Sequence, residues 1–268
     1  MKREIDKDEL KIIQLEILQS IHNYCVKGNI KYSLAYGTLI GAIRHKGYIP
    51  WDDDVDIMMP RKDYERFLDT FNGEYGNLIV FSPETHTNCY SPYANVVNTD
   101  TILIENHHSF NQLLGIKIDI FPIDSVPEDE IKRGRLYNKV AKCKLLIGLK
   151  NTKLSHQGSI KTKLAGCFMK TVGHFIPVAK LLNQIAIKSN IENSESELVN
   201  NIVWCARGEK ACFKRSEMDG YVDVEFEGRI FKSIAGYDNF LRAHYGDYME
   251  LPPIEERIPK HNFTAYWK

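Results

Sequence analysis

Trp51-Asp52-Asp53-Asp54-Val55-Asp56-Ile57-Met58-Met59 puts four carboxylates within five positions, just after Tyr36-Gly37-Thr38-Leu39-Ile40-Gly41-Ala42-Ile43-Arg44. Carboxylates this close repel one another, and a folded chain keeps them together only against a compensating charge, most simply a divalent cation. Asp54 and Asp56 flank a valine and lead into an apolar run. Read as a strand over 54–59, the segment turns both carboxylates to one face, because side chains two apart share a face. The upstream glycines let backbone N–H groups approach a phosphate. Gly37-Thr38 stands where a short strand (31–36) would enter a helical turn (38–44), and a helix start is a natural anion site. Metal and phosphate together point to chemistry on a nucleotide.

Outward from this stretch, residues 6–27 predict a helix: Leu10, Ile13, Ile17, Ile21 and Tyr24 recur at steps of three and four, acidic residues crowd the first turn, and Gly28 closes it. Residues 61–71 predict another, with Tyr64, Phe67, Leu68 and Phe71 on one face. Strands are expected at 78–81, 94–97 and 101–105. Gly115-Ile-Lys-Ile-Asp-Ile-Phe121 alternates as a strand should, except that Asp119 stands alone among apolar neighbours. From 128 to 197 the pattern turns helical and basic, with a break at 157–159. A hairpin follows over 222–234, turning at Glu227-Gly228, then a helix over 237–245 and an irregular tail after Leu251-Pro252-Pro253. The expected architecture is α+β: a mixed sheet core over 1–127, a basic helical insert over 128–215, and a C-terminal hairpin and helix over 216–268 that pack back on the core.

A chain of 268 residues with 43% hydrophobic and 26% charged residues is ordinary for a globular protein able to bury a sizeable core. The first ten residues are charged and lack the apolar core of a signal peptide, and no apolar run reaches membrane-spanning length, so a cytoplasmic location is expected. The six cysteines, with no C-x-x-C pair, are expected to be reduced thiols. The net charge of zero hides an asymmetry. Residues 131–190 hold 13 of the 35 basic residues and no Asp or Glu, so the rest of the chain carries 22 basic against 35 acidic residues. Such an insert is either a solvated helical face or a surface for something anionic, a membrane leaflet or a polyanionic acceptor. A nucleic-acid partner is not expected.

Three metal sites compete for the aspartates. An EF-hand loop beginning at Asp52 would need glycine where Ile57 stands and glutamate where Asp63 stands, and fails. A glycosyltransferase-type Asp-x-Asp also holds a metal against a sugar nucleotide, but follows several βα units, whereas only 53 residues precede Asp54. A nucleotidyltransferase-like site needs a glycine turn, two carboxylates on one strand and a third on a neighbouring strand. Asp119 suits the third place, since a carboxylate in an apolar strand is costly unless a metal or partner awaits it.

The run Tyr36-Gly-Thr-Leu-Ile-Gly-Ala-Ile-Arg-His-Lys-Gly-Tyr-Ile-Pro-Trp-Asp-Asp-Asp-Val-Asp-Ile57 resembles the signature of the LicD family. Gly115-Ile-Lys-Ile-Asp-Ile-Phe-Pro-Ile-Asp124 resembles its second block, and Tyr237 through Tyr248 with Leu251-Pro252-Pro253 its C-terminal block. The likeness covers about residues 10–125 and 220–260. These bacterial proteins transfer phosphocholine from CDP-choline to cell-surface glycans, and fukutin-type ribitol-phosphate transferases are distant relatives. The resemblance implies a nucleotidyltransferase-like core, Mg²⁺ (or Mn²⁺) on Asp54, Asp56 and Asp119, and a glycine turn at Gly37-Thr38. Two departures stand out: Thr38 replaces the Gly or Ser of the wider superfamily, and the 17-residue step from Gly37 to Asp54 exceeds that of its simplest members.

Between turn and carboxylates, Arg44 and Lys46 are candidates to neutralise a diphosphate. Tyr48 and Trp51 are candidates to stack on a base or to cage a quaternary ammonium. Asp52 and Asp53 are expected to support the ligands. His45 reads as a loop residue, and His107-His108 and His261 lack ligand spacing. The expected reaction moves a phospho-alcohol from a CDP-alcohol to a hydroxyl of a glycan, lipid-linked glycan or teichoic acid precursor and releases CMP. The rival readings are a nucleotidyltransferase that releases pyrophosphate and a non-catalytic nucleotide- or glycan-binding module. The basic segment 131–190 would hold the protein at the inner membrane face.

Overall fold

Helix α1 (Lys7–Gly28) begins where Asp6 caps it, the carboxylate accepting from the Glu9 N–H at 2.8 Å. It ends at Asn29, whose left-handed backbone (φ 50°) returns its N–H to the carbonyls of the last turn. Leu10, Ile13, Ile17, Ile21 and Tyr24 are all buried, so the stripe expected from their spacing faces the core. This computed structural model describes residues 2–71, 76–86, 89, 91–106, 115–153, 159–171, 177–204, 208–259 and 261–268, without the side chains of 169 and 170. His107-His108, Cys205 and most of the expected break at 157–159 lie outside the described residues.

Around α1 the chain runs β1 (Glu4–Ile5), β2 (Ser33–Leu34), α2 (Tyr36–Ile40), a π-helical turn (Gly41–His45), β3 (Asp56–Pro60), α3 (Arg61–Thr70), β4 (Leu78–Phe81), β5 (Ala94–Asn98) and β6 (Thr101–Glu105). It continues through β7 (Lys117–Ser125), α4 (Glu130–Asn151), α5 (Ile160–Thr171), α6 (Val178–Glu192), β8 (Leu198–Asn200), β9 (Phe213–Lys214), β10 (Tyr221–Phe226), β11 (Arg229–Ile234), α7 (Tyr237–Tyr245) and β12 (Phe263–Trp267). The main sheet is mixed, in the order β2-β3-β7-β5-β4, with β8 and β9 extending from the far end of β7. β3 and β7 run parallel and the other pairs antiparallel. Ile57, Met58 and Met59 are all fully buried although successive side chains alternate, so β3 is covered on both faces. The α+β class and the mixed sheet expected from the sequence are what the chain adopts.

Buried polar groups fix the frame. The Arg61 guanidinium at the start of α3 makes a two-pronged contact with Asp124 near the end of β7 (2.6 and 2.8 Å), with both side chains almost wholly buried. α6 is fastened to the same strand end: the Ser125 N–H and hydroxyl each donate to the Asn190 side-chain carbonyl at 3.0 Å. The basic segment thus forms three helices, of which α6 packs on β7 and α4 contacts both α5 and α6. No helix among the described residues is long and apolar enough to cross a membrane.

The tail departs from expectation. Instead of staying irregular, it forms β12, the central strand of a sheet β1-β12-β6, with Ala265 opposite Ile5 on one side and Leu103 on the other. Five residues behind a proline-rich segment give little periodicity to read, and the partners lie at the other end of the chain and beyond residue 100, so only tertiary pairing makes the strand. The expected hairpin does form, turning on Glu227 (φ 51°) and Gly228 (φ 70°), both left-handed as a two-residue hairpin turn requires.

Candidate active site

The glycine turn is built on a strained residue. Tyr36, the last residue before Gly37, has φ 47°, a conformation an L side chain adopts only when its surroundings insist. They do: its hydroxyl accepts from the Asn201 side chain at 2.8 Å, and its ring meets Phe121 and His244 edge-on at 5.3 Å. At Gly37 an added Cβ would lie 2.5 Å from the Asp52 carboxylate, so this glycine makes room for the first member of the aspartate run. At Gly41 a Cβ would lie 2.4 Å from the Gly47 carbonyl, so the loop folds back tightly on the π-helical turn.

The carboxylates meet through strand register. β3 and β7 pair Asp56 with Asp119 directly, so the two side chains leave the sheet on the same face. The Asp56 N–H donates to the Thr38 hydroxyl at 2.8 Å, and the Asp119 N–H to the Val55 carbonyl at 3.1 Å, which extends the pairing back toward Asp54. Asp119 is held by the side-chain amide of Asn95, by Lys117 at 3.0 Å and by the Tyr93 hydroxyl at 3.3 Å. α1 fastens the loop, Gln14 donating to the Asp53 carbonyl at 3.0 Å.

Crowding and burial set the electrostatics of the cluster. Desolvation first, then the charges of Asp54, Asp119 and Asp52, push Asp56 well above the usual carboxylate range. Asp54, with 34% of its side chain open, is pushed up to about 7 by desolvation and the Asp52 charge, with His261 opposing. His261 sits with Nδ1 2.7 Å from Asp53 and Nε2 3.8 Å from Asp54, and the Asp53 hydrogen bond raises it to about 9. Among the described residues, His261 opposes the rise of Asp54 and Lys117 that of Asp56. Hard carboxylate oxygens without a thiol suit Mg²⁺ or Mn²⁺. Among the described residues the three-ligand grouping with ligand atoms within 4.8 Å is Asp53, Asp54 and His261. Asp56 and Asp119 are opposed by register, and Asp54 lies in the loop just before β3.

A cleft of about 810 Å³ opens above these groups. Gly37, Asp52, Asp54 and Asp56 line one part of it, Trp51, Trp204, Tyr245 and Tyr248 supply aromatic wall, and Asp247, Glu250 and Glu256 add negative charge. Of the expected site residues, Gly37, Arg44, Trp51, Asp54 and Asp56 line the cleft, with Asp119 in register beside Asp56. Thr38 is buried, and its hydroxyl accepts from the Asp56 N–H, which ties the glycine turn to β3. Two expectations change. Lys46 is exposed outside the cleft lining, its carbonyl accepting from the Glu227 N–H. Tyr48 is a core residue: its hydroxyl donates to Gln14 and the Lys11 carbonyl, and its ring lies 4.9 Å from Phe226. Arg44 lines the cleft, but its guanidinium donates to the carbonyls of Tyr248 and Glu250, which fastens the wall. Spacing along the sequence gives no sign of His261 or of the C-terminal aromatic wall, although Tyr245-Gly246-Asp247-Tyr248 is visible there as a motif.

The LicD/FKTN/FKRP nucleotidyltransferase-domain family matches at residues 29–145, which include the glycine turn and both carboxylate strands. Over 265 residues, 96% of this chain and 97% of the relative, the chain is 31% identical to the lipopolysaccharide cholinephosphotransferase LicD of Haemophilus influenzae. Shorter matches join it to two uncharacterized proteins, one of Rickettsia typhi (44% over 62 residues, 23% of this chain and 19% of the relative) and one of Rickettsia prowazekii (46% over 57 residues, 21% of each).

Proposed function

The chain belongs to the LicD family, and we propose that it is a Mg²⁺-dependent transferase moving phosphocholine from CDP-choline to a hydroxyl of a cell-surface glycan precursor, with release of CMP. The observation that carries this reading is the in-register pairing of Asp56 and Asp119, with Asp54 beside them, at a cleft walled by aromatic rings and carboxylates. A quaternary ammonium has no proton to donate and is held by ring faces and diffuse negative charge. Tyr245 and Asp247 line the cleft, and the rings of Trp51 and Trp204 in its wall already attract the cations of Arg257 and Lys144 at 5.6 and 5.4 Å, which the ligand would have to displace. The relative spanning nearly the whole chain is named for the same transfer onto lipopolysaccharide.

In the reaction, the acceptor oxygen forms a bond to the phosphocholine phosphorus as the bond from that phosphorus to the bridging oxygen breaks. CMP leaves with the electron pair. Mg²⁺ held by Asp54, Asp56 and Asp119 would supply positive charge to the diphosphate. Asp119, fixed by Asn95, Tyr93 and Lys117, orients the acceptor hydroxyl and takes its proton. Gly37 and Asp52 set the position of the aspartate loop, and Arg44 holds the wall against which the donor rests. The catalytic gain comes from positioning and charge, without a covalent intermediate. The basic helices keep the protein beside an anionic surface where a lipid-linked acceptor is met.

The deciding assay offers CDP-choline, CDP-ethanolamine, CDP-ribitol and CDP-glycerol with Mg²⁺ and a glycan acceptor and follows CMP. CDP-choline should give the fastest release, and Asp54→Asn or Asp56→Asn should lower it at least ~100-fold. Pyrophosphate release from a nucleoside triphosphate in place of CMP would make the protein a nucleotidyltransferase and overturn the proposal.

A further inference from the structure

Helix α5 carries an exposed apolar stripe. Ile160, Leu164 and Phe168 are 78%, 67% and 59% exposed. At steps of four they form one stripe spanning about 80° of the helix. Of the residues whose side chains are described, Gly166 is buried and Ala165 half-buried, and the helix packs against α4. The large apolar side chains among them, Ile160, Leu164 and Phe168, point outward. Lys161 continues the stripe's arc on one side and Lys163 borders it on the other, both exposed.

We propose that this face of α5 lies in the interface of an anionic lipid bilayer, Ile160, Leu164 and Phe168 entering the acyl boundary and the bordering lysines meeting lipid phosphates. Charge complementarity selects this occupant: the 60 residues from 131 to 190 contain 13 basic residues and no acidic one. A lysine beside an apolar stripe buries its methylenes and keeps its ammonium at the headgroups. At 12 residues the helix is too short to span a bilayer and suited to lying in its plane. The inference deepens the proposed function by naming the surface where acceptor is met, and rests on that reading for its purpose only.

The test uses the full chain with vesicles of phosphatidylethanolamine and phosphatidylglycerol, and with phosphatidylcholine vesicles. The protein should sediment with the anionic vesicles, less so at high salt, and not with phosphatidylcholine. Leu164→Ser with Phe168→Ser should weaken binding at least ~tenfold, with an unchanged melting temperature because both residues are exposed, and with unchanged CMP release toward a soluble acceptor. Lys161→Gln with Lys163→Gln should weaken it several-fold and flatten the salt dependence. An environment-sensitive dye on Cys167, exposed on the same face, should shift to the blue when anionic vesicles are added, a signal lost in Cys167→Ser. Equal sedimentation of wild type and stripe variant, or no dye shift, overturns the inference. So does a dimer that the stripe variant converts to monomer without vesicle binding, which would assign the face to a second copy. Loss of CMP release in the unmodified protein would strike the proposed function and leave this result standing.

Discussion

Gly37 does its work through Asp52. A methyl group there would sit 2.5 Å from the Asp52 carboxylate, the end of a flexible side chain that can move, so the fold survives while the aspartate loop shifts. Gly37→Ala should therefore cut CMP release at least ~tenfold while moving the melting temperature by no more than a few degrees. Equal activity would remove Asp52 from the site. Gly41→Ala, by contrast, meets backbone and should cost stability outright. The same contrast explains which residues were legible. Asp119 stands out because a carboxylate in an apolar strand is costly, and the strand over 54–59 shortens to begin at Asp56, which leaves Asp54 in the loop before it. Tyr48 is not legible as a core residue because its place depends on what lies opposite, Gln14 and Phe226. His261 was unreadable from spacing, since its partner Asp53 lies 208 residues away in the chain.

Among elements, those with a local signal were legible and those made by pairing were not. α1 announces itself by its cap and stripe, the β10–β11 hairpin by its Glu-Gly turn, β7 by alternation. β12 exists only because β1 and β6 flank it, and with it comes the placement of His261 just before the strand. The parallel pairing of β3 with β7 is likewise invisible in either strand alone, yet it is what opposes Asp56 and Asp119. That pairing is locked at its other end by Arg61 and Asp124, buried to 4% and 0% exposure. Asp124→Ala leaves the guanidinium buried without its carboxylate and should cost about 3–5 kcal/mol. Chemical denaturation checks this, and a loss below about 1 kcal/mol would mean that α3 and β7 are held by apolar packing alone. Ala265→Pro should break the central strand of the small sheet and lower both stability and CMP release, because Pro removes a ladder donor where both sides are paired.

At the scale of the whole molecule, a formal net charge of zero is divided between a basic helical segment and an acidic cleft, and the cleft governs how stability depends on pH. Asp54 rises from 3.8 to about 7 on folding and His261 from 6.5 to about 9. A carboxyl raised by folding makes the native state hold a proton that the unfolded chain has released, so its penalty grows as pH climbs toward 7 and is complete above it. A histidine raised by folding contributes stability that is full below 6.5 and lost as pH passes 9. His22 and His45, pushed down by burial, act in the opposite sense, but their effect ends once the unfolded imidazole is neutral, near 6.5. Asp54 therefore lowers stability up to about pH 7 and His261 from about 6.5 to 9; the two act together only near 6.5–7, and His261 carries the slope above that. Metal-free protein should lose several degrees of melting temperature between about 6.5 and 9. Mg²⁺ competes with protons for the same carboxylates, so its stabilisation should widen as pH rises. Melting curves at fixed ionic strength, with EDTA and with Mg²⁺, read both slopes. A metal-free curve that is flat or rising over this range would remove the His261–Asp53 pairing from the stability of the site, and a Mg²⁺ stabilisation that does not widen with pH would remove the electrostatic case for a metal at Asp54, Asp56 and Asp119.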